Sequence, residues 1–209
     1  MKAQEIVTIA NVWGETQAEY IEMVKLLSGS AVDAIELNLS CPNVPGEMLG
    51  LQTKAAGRVV KAAHKVSTKP LWVKLPPDAR LEVAQAAEQA GTDAVCAVNT
   101  FRAMAIDIET GKPVFERVFA GLSGPAIRPI ALRIVHELVT ALDIPVIGIG
   151  GIATWQDAVA FIMAGASAIQ VGTANFIDPC SAIRIVKGLE EFMQHRGLNN
   201  WEEIRGCAH

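Results

Sequence analysis

Apolar residues fall into two alternating kinds of segment along this chain. Short, nearly unbroken apolar runs at 5–12, 34–39, 71–75, 94–99, 146–151 and 168–173 have the length and β-branched content of buried strands. Between them lie stretches whose apolar positions recur every three to four residues, the helical period. Thr16-Gln17-Ala18-Glu19 has the spacing of a capping box, and Tyr20, Met23, Val24 and Leu27 then share one helical face up to Gly29. A second helix is expected over 53–66, with Ala55, Val59, Ala62, Ala63 and Val66 inward, and a third from Leu81 to Ala90 that Gly91 ends. Further helices are expected after Gly121-Leu122-Ser123-Gly124-Pro125 as far as Leu142, from the Thr154-Trp155-Gln156-Asp157 cap to near Gly165, and from Ser181 to Gln194. Residues 104–119 lack helical period. Thr110-Gly111 between Ile106-Asp107-Ile108 and Val114-Phe115 predicts a hairpin there.

Strands that are apolar throughout, alternating with helices, imply a parallel sheet covered by helices. An open doubly wound sheet and a barrel both satisfy that pattern. Chemically capable residues recur at the exits of several strands: Asn38 and Cys41, Lys74, Asn99, Gly150 and Gly172. Convergence from many strands is the barrel's arrangement. The expected fold is therefore α/β, a TIM (β/α)8-type barrel, here incomplete with about six of eight βα units. A single domain is expected over residues 1–209.

Composition narrows the function. With 51% hydrophobic and 19% charged residues the chain is globular, and a net charge of −4 without a basic run gives no reason to expect nucleic acid. The N-terminus opens on polar residues without an apolar signal region, and no apolar stretch has the length of a membrane span. The four cysteines, at 41, 96, 180 and 207, show no CxxC and no metal-ligand spacing. A reduced, cytoplasmic chain without a bound metal is expected.

Cys41 stands just past a strand, between Asn38 and Asn43, and Pro42 turns the chain out of the sheet. A thiol there can act as base, nucleophile or ligand, and the asparagines offer paired donors and acceptors to a planar polar molecule. A buried small apolar residue is the plain alternative for a free cysteine. Lys74 inside an apolar strand is costly unless paired or functional. It either stabilises negative charge on a ligand or runs its stem out to solvent. Gly150-Gly151 and Gly172-Thr173 end the last two strands, where barrels commonly hold a phosphate; Ser123-Gly124 ahead of a helix is a third candidate contact. Either glycine pair alone is equally consistent with a tight strand exit. Asn99 and Thr100 supply an amide and a hydroxyl suited to an imide or carboxylate, and Asn11 ends the first strand in the same way. His64, His136, His195 and His209 lie on helices or the tail, which leaves Cys41 as the proton-transfer candidate.

With these residues in view, the sequence resembles the dihydroorotate dehydrogenases of pyrimidine biosynthesis over nearly its whole length. The resemblance rests on Asn38-Leu39-Ser40-Cys41-Pro42-Asn43, Trp72 to Pro76, Asn99-Thr100, Met104 to Gly111, Gly121 to Ala126, and Gly165 to Asn175. Met104 to Thr110 and Leu122 to Pro129 look most like the NAD-linked, heteromeric class, and cysteine at 41 separates the chain from the membrane-bound, quinone-linked class, which has serine there. The resemblance implies FMN as cofactor and oxidation of dihydroorotate to orotate, with Cys41 taking the proton. It implies substrate contacts at Asn38, Asn99 and Thr100. For the flavin it implies Asn11, Asn38, Lys74 and Val98, with Gly124, Gly150, Gly151, Gly172 and Thr173 around the phosphate. It implies that FAD and an iron–sulfur cluster sit only on a separate electron-transfer subunit, since this chain has no cysteine set for a cluster, and that the intact protein is a homo-oligomer.

The resemblance also implies two further βα units ahead of the strand that begins near Glu5. A C-terminal part of a barrel, with weak flavin retention and little or no activity alone, is therefore expected. Three other readings stay open: a related flavin enzyme acting on pyrimidine bases, a non-catalytic truncated fold that binds flavin or a partner, and a phosphate-binding synthase barrel without flavin.

Overall fold

The computed structural model describes residues 6–40 and 48–209. The chain forms two compact units, Met1–Cys96 with Leu142–Pro145, and Ala97–Ala141 with Val146–His209.

In the first unit, strand β1 (Ile9–Val12) leads to helix α1 (Gln17–Ser28) and strand β2 (Ala34–Asn38). A 3-10 turn at Leu49–Leu51 precedes helix α2 (Thr53–His64), followed by strand β3 (Leu71–Leu75), helix α3 (Leu81–Gln89) and strand β4 (Ala94–Ala97). The strand order is β1-β2-β3-β4, and β2 runs parallel to both β1 and β3. The capping box at Thr16 forms as its spacing predicts: the hydroxyl accepts from Glu19 N, and the Glu19 carboxylate accepts from Thr16 N. Gly91 takes φ +96° just past α3, a left-handed position that disfavours any side chain with a Cβ.

Two details depart from the pattern reading. The first strand is shorter, because Thr8 and Asp33 bond each other through backbone and carboxylate instead of continuing the ladder. On α2 the buried residues are Ala56, Val59, Val60 and Ala63, while Ala55 and Ala62 are only half-buried, as is Val66 beyond the helix's end at His64. The helix is rotated by about one residue from the expected face. Alanine at 55, 56, 62 and 63 lets the pattern fit either rotation, so packing decides.

The second unit starts with two antiparallel pairs. Strand β5 (Phe101–Met104) pairs with β8 (Phe119–Leu122), and within that connection β6 (Ile106–Asp107) pairs with β7 (Lys112–Pro113). The inner pair is the expected hairpin, with Gly111 at φ +67° and Gly111 N bonded to Asp107 O. The outer pair was not foreseen: its strands lie fourteen residues apart, beyond any local turn signal. Arg102 stacks over the Phe119 ring at 4.1 Å and joins the two strands.

Helix α4 (Arg128–Ala141) follows a 3-10 turn at Pro125–Ile127, then strand β9 (Val146–Ile149), helix α5 (Trp155–Met163) and strand β10 (Ala168–Gln170), which is parallel to β9. A four-residue helix α6 (Ala174–Ile177) and the long α7 (Ser181–Arg196) complete the unit. Gly188 on α7 is buried, and a Cβ there would lie 2.7 Å from Trp155 Cβ and nearer still to the indole ring. Gly188→Ala is therefore expected to destabilise the fold by about 1–3 kcal/mol through overpacking, read as a lower urea midpoint at unchanged slope.

The fold class is α/β of the TIM-barrel type, incomplete, with six core strands among the described residues. No helix among those residues is long and apolar enough to cross a membrane.

Candidate functional site

The first unit gathers polar side chains at the exits of β1, β2 and β3. Register sets this up. Asn11 is opposite Glu36, and Asn38 is opposite Lys74. Strand side chains alternate between faces, so Glu36, Asn38 and Lys74 share one face, while Ile35, Leu37, Leu71 and Val73 are fully buried on the other. Glu36 is only 3% exposed, and Lys74 Nζ lies 3.9 Å from its Oε1. Asn11 donates its amide N–H to the same carboxylate oxygen. Asn38 Nδ2 donates to Asn11 Oδ1 at 3.4 Å, and Asn38 Oδ1 accepts from the backbone N–H and hydroxyl of Ser40 at 3.2 and 2.7 Å. Tyr20, buried in α1, donates its phenol to Asn38 O at 2.7 Å and anchors the end of β2. Thus Asn11, Asn38 and Lys74 are brought together, whereas Cys41 lies outside the described residues.

The second unit gathers the remaining expected residues around three loops. Gly150 (φ +132°), Gly151 (φ +74°) and Gly124 (φ +87°) all hold backbone conformations that favour glycine. A Cβ on Gly151 would lie 2.7 Å from Gly124 O and 2.8 Å from Arg128 N, so the exit of β9 presses directly on the approach to α4. A Cβ on Gly150 would lie 2.8 Å from Ala131 Cβ. Thr173 donates its hydroxyl to Ser123 Oγ at 2.8 Å, which ties the loop after β10 to the loop before α4. At Gly124 and Gly172 no atom of the described residues lies within 4 Å of where a Cβ would be, so among these residues both face open space. Val98 follows a cis Ala97–Val98 peptide and donates its N–H to Ile149 O at 2.8 Å. The Asn99 side chain accepts from Thr100 N at 2.8 Å, and Thr100 packs against Gly121, where a Cβ would lie 2.8 Å from Thr100 Cβ.

Two acidic residues stand out that the sequence reading did not assign. Glu36 was read as part of an apolar strand. The usable signal was a lone carboxylate in such a run, with Lys74 in the next strand. Asp157 was expected only as a helix cap. Its carboxylate accepts from Ala153 N and Thr154 N at 3.0 and 2.9 Å and pairs with Arg128 at the start of α4. Burial pushes the Asp157 carboxyl up, but the bonds from Ala153 and Thr154 and the Arg128 charge outweigh it, so it sits below its ordinary value.

A carboxyl held lower in the folded state stabilises above its unfolded pKa of about 4 and loses that contribution as pH falls through the folded value. The gap in melting temperature between the chain and Asp157→Asn is therefore expected to be widest near neutrality and to close in acid, as a pH series of thermal melts reads. A gap independent of pH is the contrary result. Asp107 also lies low, held there by the backbone N–H groups of Glu109 and Thr110 at the hairpin.

Residues 1–193 match the family model for dihydroorotate dehydrogenase. The chain belongs to the dihydroorotate dehydrogenase family. This is a family of oxidoreductases. A protein of Petrotoga mobilis named dihydroorotate dehydrogenase B (NAD(+)), catalytic subunit, is 50% identical over 99% of this chain and 70% of its own length. Proteins of the same name from Alkaliphilus metalliredigens and Caldicellulosiruptor saccharolyticus are 45% and 46% identical over 95% of this chain and 67% of their own lengths. The resemblance read from the motifs is thereby confirmed at the level of family and class.

Proposed function

We propose that this chain carries out the FMN-dependent oxidation of dihydroorotate to orotate, a step of pyrimidine nucleotide synthesis, as the catalytic part of an NAD-linked enzyme. The observation that supports it best is the glycine-lined cradle of the second unit, in a chain of this family. Two glycines that face open space among the described residues and two more in left-handed or extended-positive conformations, on loops tied by the Thr173–Ser123 bond, suit a phosphate group. In this reading Gly124, Gly150, Gly151, Gly172 and Thr173 hold the phosphate of FMN through backbone N–H groups, and the Thr173 hydroxyl, which donates to Ser123, ties their loops together. FMN, when bound, supplies a two-electron acceptor for the hydrogen leaving C6 of the substrate.

The chain's own residues do the rest. Lys74 places a positive charge beside the flavin ring and stabilises the negative charge that reduction brings. Asn11 and Asn38 contact the ring through their amides. Val98 does so through its carbonyl, because its N–H is already bonded to Ile149. Asn38, Asn99 and Thr100 bind the polar edge of the pyrimidine. Cys41 accepts the proton from C5 at its sulfur. Electrons leave through a separate subunit that carries FAD and an iron–sulfur cluster. We place the intact protein in the cytoplasm as a homo-oligomer and treat residues 1–209 as one partial FMN-binding βα-barrel domain.

The test is reconstitution of the purified chain with FMN, followed by anaerobic dihydroorotate. A weakly held flavin whose spectrum bleaches slowly on addition is the expected result. Colourless protein, or bleaching by dihydrouracil and not by dihydroorotate, contradicts it.

A further inference from the structure

We infer that Glu36 is a positioning residue for the side chains that meet flavin and substrate: it holds the Lys74 ammonium in place, orients the Asn11 amide, and through it keeps the seat of Asn38. The inference rests on the function proposed above and adds a group that it does not use. Glu36 is 3% exposed on the polar face of β2, an expensive place for a carboxylate unless it is paired. Two of its neighbours are cofactor contacts in that reading, Lys74 at 3.9 Å and Asn11 as a direct donor.

The direction of the hydrogen bonds makes the case. An ionised carboxylate can only accept, so Asn11 must turn its NH2 toward Glu36. Its carbonyl oxygen is then left facing Asn38, which must answer with its own NH2, and it does so at 3.4 Å. Asn38 Oδ1 is in turn committed to the hydroxyl and N–H of Ser40. Polarity therefore runs one way, from Ser40 through Asn38 and Asn11 to Glu36, with Lys74 on the same carboxylate. Without the carboxylate, the Asn11 amide could flip with little penalty and would turn its NH2 against that of Asn38, whose oxygen the Ser40 N–H holds in place. Held as they are, Asn11, Asn38 and Lys74 all turn N–H donors toward this cluster.

Charge and orientation separate in two variants of the full chain reconstituted with FMN. Glu36→Gln removes the charge but can still accept from Asn11. It is expected to keep affinity for oxidised FMN within about threefold and to favour the reduced flavin about tenfold, roughly 30 mV upward for a two-electron couple. Glu36→Leu removes the acceptor as well, and orotate affinity is expected to fall at least tenfold. Glu36→Asp keeps the charge and draws the carboxylate back by one methylene. It is expected to keep the potential near that of the unsubstituted chain while weakening orotate at least fivefold. This keeps the test open if the other two variants fail to fold.

A potential unchanged in Glu36→Gln with FMN bound at normal affinity overturns the inference, as does unchanged orotate affinity in Glu36→Asp. In both cases the FMN reading stands. Failure of the unsubstituted chain to take up FMN at all overturns both together.

Discussion

Gly151→Val is expected to abolish FMN uptake by this chain while leaving most of its helical content in place. Gly151 sits at φ +74°, where a β-branched residue is strained by about 1–3 kcal/mol. Its Cβ would also meet Gly124 O at 2.7 Å and Arg128 N at 2.8 Å. Those are backbone atoms, and no side-chain rotation can relieve the contact. The loop after β9 must then move off the start of α4, and the N–H groups proposed to hold the phosphate move with it. A combined cost of about 3–4 kcal/mol corresponds to a loss in affinity of more than about 100-fold.

The control is Gly172→Ala. Its Cβ meets no atom of the described residues within 4 Å, so their fold should be unaffected. If that open space belongs to the phosphate, FMN binding weakens nonetheless. Flavin fluorescence titration alongside circular dichroism reads both variants. Gly151→Val that binds FMN normally removes this cradle from the proposal.

The second large effect is expected at Cys41. With FMN bound, Cys41→Ala should slow flavin reduction by dihydroorotate by about 10²–10⁴-fold, the usual worth of a positioned general base. A thiol titrates near 8.5, so the reduction rate of the unsubstituted chain should climb with pH as thiolate forms. Cys41→Ser should flatten that climb, because a serine hydroxyl does not ionise in the accessible range. Anaerobic stopped-flow at 450 nm, a wavelength where oxidised flavin absorbs, measures both. A rate within threefold of the unsubstituted chain at every pH assigns the proton to another group.

Much of the architecture was legible because buried parallel strands leave a strong mark. Leu71–Leu75 was found at its observed limits, since an apolar run closed by two prolines admits no other reading. Both threonine capping boxes were legible from a four-residue spacing that has a single physical use. The β5–β8 pair was not legible, because its partners meet only when the chain between them has folded back through the inner hairpin. The inward face of α2 was blurred by alanines on both sides.

The candidate site divides in the same way. Glycines at strand exits, a lysine in an apolar strand and an asparagine-flanked cysteine were visible as residue types out of place. Their partners were not. Glu36 looked like a tolerated polar residue until strand register set it opposite Asn11 and its side chain lay near Lys74. Asp157 looked like a cap until the start of α4 brought Arg128 to it.

By itself, then, the amino-acid order determined the class of fold, the family and the residue types from which the site is made, because burial and local hydrogen bonding act over a few neighbouring residues and leave periodic traces. Only the tertiary structure decided which charges neutralise each other, which way the amides of Asn11 and Asn38 point, and which glycines face open space rather than backbone. Those outcomes depend on contacts between residues 25 or more positions apart, such as Asn11 with Glu36 and Gly124 with Gly151. They exist only once the strands have taken their register.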